Sequence, residues 1–69
     1  MKKLKEIRIS KNFTCAQMAE KLGITKSYYW KIENARSLLS YKMAWNIAKI
    51  LDLKPDDLFY EEFEEKSKN

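Results

Sequence analysis

The stretch TCAQMAEKLGITKSYYWKIEN, from Thr14 to Asn34, decides the fold. Thr14 is a residue type that caps helices through its side-chain oxygen, and Gln17, three residues on, is placed to complete a capping box. Gly23 is the residue best suited to a left-handed helix end. The first half of the stretch therefore predicts a short helix that begins near Cys15 and stops at Gly23.

The second half of the stretch predicts another helix. Thr25 is again a capping residue, and Tyr29 and Ile32 give this helix a buried stripe. A short turn with a small residue, Ala19, where two helices approach is the layout of a helix-turn-helix, whose second helix lies in the major groove of DNA. The alternative is an ordinary helical hairpin in a bundle. The other positions of the second helix face outward wholly or in part: Lys26, Ser27, Tyr28, Trp30 and Lys31.

Length and composition indicate one small domain. The chain has 69 residues, of which 45% are hydrophobic and 35% charged, with one Gly and one Pro, and this suits a compact all-helical domain. A chain this short buries only about 60% of its unfolded surface, so self-association would help stability. We expect a domain over residues 1–63 and a short charged tail over residues 64–69.

The sequence carries no segment typical of a membrane or secreted protein. No apolar run approaches the roughly 20 residues that span a bilayer, and the amino terminus lacks the hydrophobic block of a signal peptide. The lone cysteine, Cys15, agrees with a reducing compartment, so we expect a cytoplasmic protein without a membrane partner. Cys15 is interpreted as a small residue at a helix start, with a redox switch as the alternative.

Charge is distributed unevenly along the chain. Residues 1–51 carry eleven Lys and Arg against three Glu, a net charge of +8, whereas residues 52–69 carry three Lys against seven Asp and Glu, a net charge of −4. The basic part contains the two-helix stretch. This segregation favours a phosphate-facing surface with a remote acidic end, although a solvated charged face is the simpler interpretation of any lysine-rich helix.

An arginine stands on the apolar face of the predicted first helix. Leu4, Ile7 and Arg8 share that face at helical spacing. A partly buried arginine needs a partner, and Glu33, on the inner side of the second helix of the stretch, is the candidate. We predict an Arg8–Glu33 ion pair that fixes the first helix to the second helix of the stretch.

The chain after Asn34 predicts a loop and two more helices. Ser40 caps a helix whose apolar stripe recurs at helical spacing, and Pro55 suits the first position of a fifth helix with Leu58 and Phe59 facing in. The stripe of the fourth helix is formed by Ala44, Ile47, Ala48 and Leu51.

From Leu4 to Phe59 the chain resembles the lambda-repressor/Cro-like (xenobiotic response element type) helix-turn-helix family of small phage and bacterial regulators. The resemblance implies an all-α, compact five-helix domain with the helix-turn-helix formed by helices 2 and 3. The residues that carry it are Leu4, Ile7, Arg8, Thr14, Met18, Ala19, Leu22, Gly23, Lys26 to Tyr29, Ile32 to Asn34, Ser40, Tyr41, Ile47, Ala48, Leu51 and Asp57 to Phe59.

The resemblance also implies which residues contact double-stranded DNA. The expected base-reading residues lie in helix 3 and are Lys26, Ser27, Tyr28 and Lys31. The expected phosphate-binding residues lie at the start of helix 2 and after helix 3 and are Thr14, Cys15, Asn34, Arg36 and Lys42.

Three residues depart from the pattern of the family. Cys15 stands where many members have a glutamine that binds a phosphate, Ala35 where glycine is usual, and Tyr29 where the side chain is more often aliphatic. Either Ala35 adopts a left-handed conformation or helix 3 runs further. The hydroxyl of Tyr29 must find a partner or reach the surface.

Several aromatic residues exceed the needs of one small core. They are either half-exposed packing residues, Trp30 among them, or part of a dimer surface away from DNA, for which the candidates are Trp45, Phe59, Tyr60 and Phe63. Similar regulators are usually homodimers on near-palindromic operators with half-sites about 34 Å apart.

The function indicated is that of a sequence-specific DNA-binding transcriptional regulator, and the family implies a homodimeric repressor. The chain has no His and only one Cys, so we expect no catalysis, no metal site and no cofactor. The alternative is a protein-interaction module of the same fold, an antitoxin or anti-repressor that binds a partner protein and has little affinity for DNA.

Overall fold

The computed structural model describes residues 2–59, and these are helical or loop throughout. Four helices comprise α1 (Lys2–Ser10), α2 (Cys15–Leu22), α3 (Lys26–Glu33) and α4 (Tyr41–Ile50). Residues 55–59, which we call α5, are helical and close the described part. The all-α fold with five helical segments is therefore confirmed. None of the helices within residues 2–59 has the length and apolar character to cross a membrane.

Three helices start at the capping residues that the sequence predicts. The side chain of Thr14 accepts a hydrogen bond from the Gln17 amide at 3.1 Å, and the Gln17 side chain accepts one from the Thr14 amide at 2.8 Å. This is the predicted capping box. Thr25 and Ser40 cap α3 and α4 by accepting from the backbone amide three residues on, at 3.1 and 3.0 Å.

The start of α5 uses a different pair of groups. The Lys54 amide donates to Oδ2 of Asp57 at 3.1 Å, and Pro55 stands at the first helical position. Proline suits that position because an amide hydrogen there would have no acceptor inside the helix, so its absence costs no hydrogen bond. An aspartate in the first turn also faces the positive end of the helix dipole.

All four longer helices end in the same way, with one left-handed residue. Gly23 has φ +72° after α2, but Asn12, Ala35 and Asp52 adopt φ +64°, +57° and +60° after α1, α3 and α4. Each end is closed by a backbone hydrogen bond that spans five residues, which is the Schellman arrangement. These donor–acceptor pairs are Phe13 to Arg8, Ile24 to Ala19, Arg36 to Lys31 and Leu53 to Ala48.

Ala35 thus takes the first of the two conformations expected for it. The left-handed region brings the Cβ of a non-glycine residue close to the backbone, and this costs about 1–2 kcal/mol. The short hydrogen bond from the Arg36 amide to the Lys31 carbonyl, at 2.7 Å, is formed across this residue. Helix α3 therefore ends at Glu33, with Asn34 as its C-cap.

The core is formed by residues of all five helices, with α2 packed on α3 and α4, and α1 packed on α3. Phe13 is partly buried against this core, and Nζ of Lys21 lies 5.6 Å from the centroid of its ring. The fully or almost fully buried apolar residues are Leu4, Met18, Ala19, Tyr29, Ile32, Ala44, Ile47, Ala48, Leu51, Leu58 and Phe59.

The burial of Phe59 corrects the prediction that this residue lies on a dimer surface. Its side chain is completely buried within the chain, so it belongs to the core and offers no area to a second copy. The sequence could not decide this point, because an aromatic residue near the end of a small domain suits a core and a dimer surface equally well. The other predicted role of Phe59, as an inward-facing residue of the fifth helix, is confirmed.

Candidate nucleic-acid interface

Helix α3 separates two kinds of side chain. Tyr29, Ile32 and Glu33 are buried against the rest of the domain. On the other side of the helix the side chains are exposed, and they are Lys26, Ser27, Tyr28, Trp30 and Lys31. We call the first set the inner side of α3 and the second set the outer side.

A buried ion pair fixes the inner side of α3 to α1. Nε of Arg8 donates to Oε2 of Glu33 and Nη2 donates to Oε1, both at 2.8 Å, so the pair is bidentate. Nη1 of Arg8 donates to the Phe13 carbonyl oxygen at 2.7 Å. Arg8 is 7% exposed and Glu33 4% exposed. The predicted Arg8–Glu33 pair is confirmed, and it also holds the loop that follows α1.

Tyr29 completes this buried network. Its hydroxyl donates to Oε2 of Glu33 at 2.8 Å, which is the partner that an inward-facing tyrosine requires. Burial raises the pKa of Tyr29 above its ordinary range, and the hydrogen bond to the Glu33 carboxylate raises it further. No side-chain nitrogen or oxygen buried within residues 2–59 lacks a hydrogen-bond partner. The polar cluster is thus fully satisfied, which is the condition under which a buried charge pair rigidifies a site.

The hydrogen bonds of this network stabilise the charged forms of both Arg8 and Glu33. Burial on its own raises the pKa of Glu33, but the hydrogen bonds from Arg8 and Tyr29 outweigh burial, and the net pKa is lowered. The hydrogen bond to Glu33 raises the pKa of Arg8. Both groups therefore stay charged at neutral pH, and α3 keeps one orientation relative to α1.

All four predicted base-reading residues lie on the outer side, and one depression there brings three of them together. Lys26, Ser27 and Lys31 line one shallow depression, and the fourth residue that lines it is Trp30. Tyr28 is 39% exposed but does not line this depression. The base-reading prediction omitted Trp30, although its spacing of four residues from Lys26 and three from Ser27 places it on their face.

The start of α2 lies beside the start of α3. Thr14, Cys15 and Ala16 line a depression together with Lys26. Cys15 is partly buried, and its thiol is free. The first amides of a helix have no partner inside it, so they are directed outward at its amino-terminal end. Two of the predicted phosphate-binding residues thus neighbour the outer side of α3.

The other predicted phosphate-binding residues follow α3 along the chain. Asn34, Arg36 and Lys42 are exposed. Nδ2 of Asn34 donates to the Trp30 carbonyl oxygen at 2.9 Å, so its amide group lies against its own helix. Arg36 lies in the loop between α3 and α4, and Lys42 lies in the first turn of α4.

Trp45, in the middle of α4, lies on a separate surface that continues into the residues after this helix. It is 51% exposed and lines a depression with charged residues of both signs, Lys49, Asp52, Lys54 and Asp57, and with Leu53. Tyr60 and Phe63, the other dimer candidates, and the tail from residue 64 lie outside the described residues. No group of three or more metal-ligating side chains occurs in the part of the chain that is described.

Comparison with known proteins places this arrangement in a family. The family model described as helix-turn-helix matches residues 4–58. An uncharacterized HTH-type transcriptional regulator of Methanocaldococcus jannaschii is 36% identical over 63 residues, which cover 91% of this chain and 96% of that protein. Another, from Bacillus subtilis, is 41% identical over 63 residues, which cover 91% of this chain but 54% of that protein. No solved structure matches the chain significantly.

The matched residues include all of α2 and α3 and nearly all of α1, so the family assignment rests on the same elements that build the site. The family consists of DNA-binding proteins that are not enzymes. The chain therefore belongs to the lambda-repressor/Cro-like helix-turn-helix family of DNA-binding transcriptional regulators.

Proposed function

We propose that the protein is a cytoplasmic, sequence-specific repressor that binds double-stranded DNA as a homodimer and inserts the outer side of α3 into the major groove. The observation that carries this proposal is the contrast between the two sides of α3. The inner side is held by the bidentate Arg8–Glu33 pair at 2.8 Å, while the outer side presents two lysines and a serine around one depression. A rigid helix with a free, positively charged face fits the groove.

Base contacts are assigned to the amino-terminal half of α3 and to Lys31, one turn later. Lys26 and Lys31 have the chemistry to donate to guanine O6 and N7, and Ser27 to donate to or accept from several bases. Tyr28 is exposed at the edge of the outer side, where its ring or hydroxyl reaches a base or a phosphate.

Phosphate contacts are assigned to groups on either side of α3. The start of α2 lies beside Lys26 and suits one phosphate, which the Cys15 amide is placed to bind, because the Thr14 amide already donates to the Gln17 side chain. The exposed side chains of Asn34, Arg36 and Lys42 suit the sugar-phosphate backbone further along. These contacts set the position of the domain on the duplex, while the bases are read by α3.

The dimer is assigned to the surface around Trp45. An isologous contact brings the same patch of two copies together about a two-fold axis, so the patch must complement itself. Lys49 and Lys54 alternate there with Asp52 and Asp57 around the exposed indole, which allows each lysine to face an aspartate of the second copy. The two α3 helices would then read a near-palindromic operator.

The test is selection of bound sequences from a random pool of double-stranded DNA at moderate salt. We expect a two-fold-symmetric site whose affinity falls with salt with a log-log slope of about −0.9 per phosphate contacted. Enrichment of no site, with weak binding even at low salt, would reject DNA recognition and favour the protein-interaction module.

A pair of lysine variants refines the test. Lys31→Ala should weaken binding to the selected site by about 1–3 kcal/mol and relax the preference at one base position. Lys3→Ala is the matched control, because Lys3 is exposed on α1 and is assigned neither to the DNA contacts nor to the dimer surface. Equal losses in the two variants would mean that only overall charge matters and that the outer side of α3 does not read bases.

A further inference from the structure

Trp30 is the largest side chain on the outer side of α3. Its indole is 49% exposed and lies among Lys26, Ser27 and Lys31, which line the same depression. Its backbone carbonyl accepts the hydrogen bond from Asn34. An exposed indole surrounded by the polar residues of a reading helix adds an apolar surface to a face that is otherwise hydrophilic.

The core does not account for this tryptophan. The apolar residues that α3 contributes to the core are Tyr29 and Ile32, and Trp30 belongs neither to the core nor to the partly buried residues packed against it. A half-exposed indole leaves apolar area in water, and this area favours burial when a partner covers it. The partner that covers the outer side of α3 in the proposed function is the major groove.

The major groove offers one apolar group on its base edges. Adenine, guanine and cytosine have no methyl group there, whereas thymine presents a C5-methyl group beside its O4 acceptor. An indole has a wide apolar face and a single donor, so the methyl group is the feature of the groove that complements it best.

We infer that Trp30 is a specificity-determining residue whose indole packs against the C5-methyl group of a thymine in each half-site. The inference rests on the proposed function and adds to it the identity of one base. Lys26, Ser27 and Lys31 supply hydrogen bonds and charge around this contact, and Trp30 selects against the three bases that lack the methyl group.

The test removes the methyl group from the DNA rather than the indole from the protein. In the selected operator, each thymine is replaced in turn by uracil, which pairs identically but lacks the C5-methyl group. We expect one position in each half-site at which uracil weakens binding about fourfold, the factor that corresponds to burial of one methyl-sized group at ~0.8 kcal/mol. Trp30→Ala should bind the thymine and uracil sites equally well.

The control is the other tryptophan of the chain. Trp45 is 51% exposed, almost the same fraction as Trp30, but it lies on α4 rather than on α3. Trp45→Ala should keep the fourfold difference between thymine and uracil even if its affinity for both sites changes. An unaltered thermal unfolding midpoint of Trp30→Ala would show that its fold is intact.

The outcomes separate this inference from the proposed function. Salt-sensitive binding to a selected site with no thymine at which uracil weakens binding overturns the role of Trp30 and leaves the DNA-binding repressor standing. The same fourfold loss in Trp30→Ala assigns the methyl contact to another residue and also overturns the inference. Absence of any selected site overturns both.

Discussion

The two sides of helix α3 differ in their exposure to solvent and in their contacts with the rest of the domain. On the inner side, a bidentate ion pair, a tyrosine hydroxyl and an isoleucine are almost entirely removed from water. On the outer side, two lysines, a serine and an indole remain exposed. The first set makes contacts only within the domain, whereas the second contributes little to the core. One eight-residue helix therefore packs into the domain with one side and presents the proposed DNA-reading residues on the other.

The comparison predicts that stability and DNA affinity can be changed separately. Inner-side substitutions should act on the free energy of unfolding, because they strand or remove buried groups. Outer-side substitutions away from the core should change stability by no more than about 0.5 kcal/mol.

The largest effect is expected for Arg8→Ala. This variant leaves the Glu33 carboxylate buried without its bidentate partner and should lower the free energy of unfolding by about 3–5 kcal/mol. Urea denaturation followed by circular dichroism measures the loss. Lys31→Ala on the outer side is the control and should change stability by less than about 0.5 kcal/mol. Similar losses in both variants would contradict the division of α3 into two sides.

A smaller loss is expected for Tyr29→Phe. The variant removes one hydrogen bond to a charged acceptor, at 2.8 Å, and should lower the free energy of unfolding by about 1.5–3 kcal/mol. Tyr28→Phe, one residue earlier and exposed, tests the same chemical change outside the network. If both variants unfold at the same urea concentration as the wild type, the hydroxyl of Tyr29 has no role in stability.

Lowering the pH should gradually destabilise the ion pair on the inner side of α3. The pKa of Glu33 is lowered from its ordinary value of 4.5, so the unfolded chain binds the proton more tightly than the folded chain does. The free energy of unfolding should therefore fall as the pH drops below about 4.5 and through the lowered pKa of the folded state. The effect is smaller than that of removing Arg8, because burial partly opposes the hydrogen bonds in setting this pKa.

The acid prediction is checked by comparing two glutamine variants. Between pH 5 and pH 2, the free energy of unfolding of Glu33→Gln should depend less on pH than that of the wild type. Glu20→Gln replaces an exposed carboxylate of α2 and should keep the dependence of the wild type. A steeper or unchanged dependence in Glu33→Gln would assign the acid sensitivity to other carboxylates.

The smallest effect is expected at the end of α3. Ala35 has φ +57°, and glycine adopts this conformation without strain, so Ala35→Gly should raise the free energy of unfolding by about 0.5–1 kcal/mol. Ala16→Gly makes the same chemical change inside α2 and should lower it by about 0.5–1 kcal/mol. Thermal unfolding of the two variants compares the signs. A loss in both would mean that the left-handed conformation of Ala35 carries no strain.

The features predicted correctly from the sequence are those that depend on short spacing or on a single unpaired charge. The caps at Thr14, Thr25 and Ser40 link residues three apart, so the sequence alone contains both partners. An arginine on an apolar face requires an acidic side chain as its partner, and Glu33 was the candidate on the inner side of the predicted second helix.

The features that the sequence left open depend on the packed structure. The Ala35 turn has no glycine to mark it, and the partner of the Tyr29 hydroxyl is defined only when Arg8 and Glu33 meet. Phe59 and Trp45 are both large aromatic residues, yet one is buried and the other half exposed. Such differences arise from how α4 and α5 pack, which local spacing does not encode.

The ion pair also bears on how long the folded state lasts. Arg8 and Glu33 are 25 residues apart, whereas the caps of α2 and α3 join residues three apart. Local contacts form early in folding, so we expect the pair to form after the transition state and to slow unfolding rather than speed folding. In stopped-flow experiments, Arg8→Ala should then unfold faster and refold at nearly the rate of the wild type. The pair would therefore set the lifetime of the folded protein.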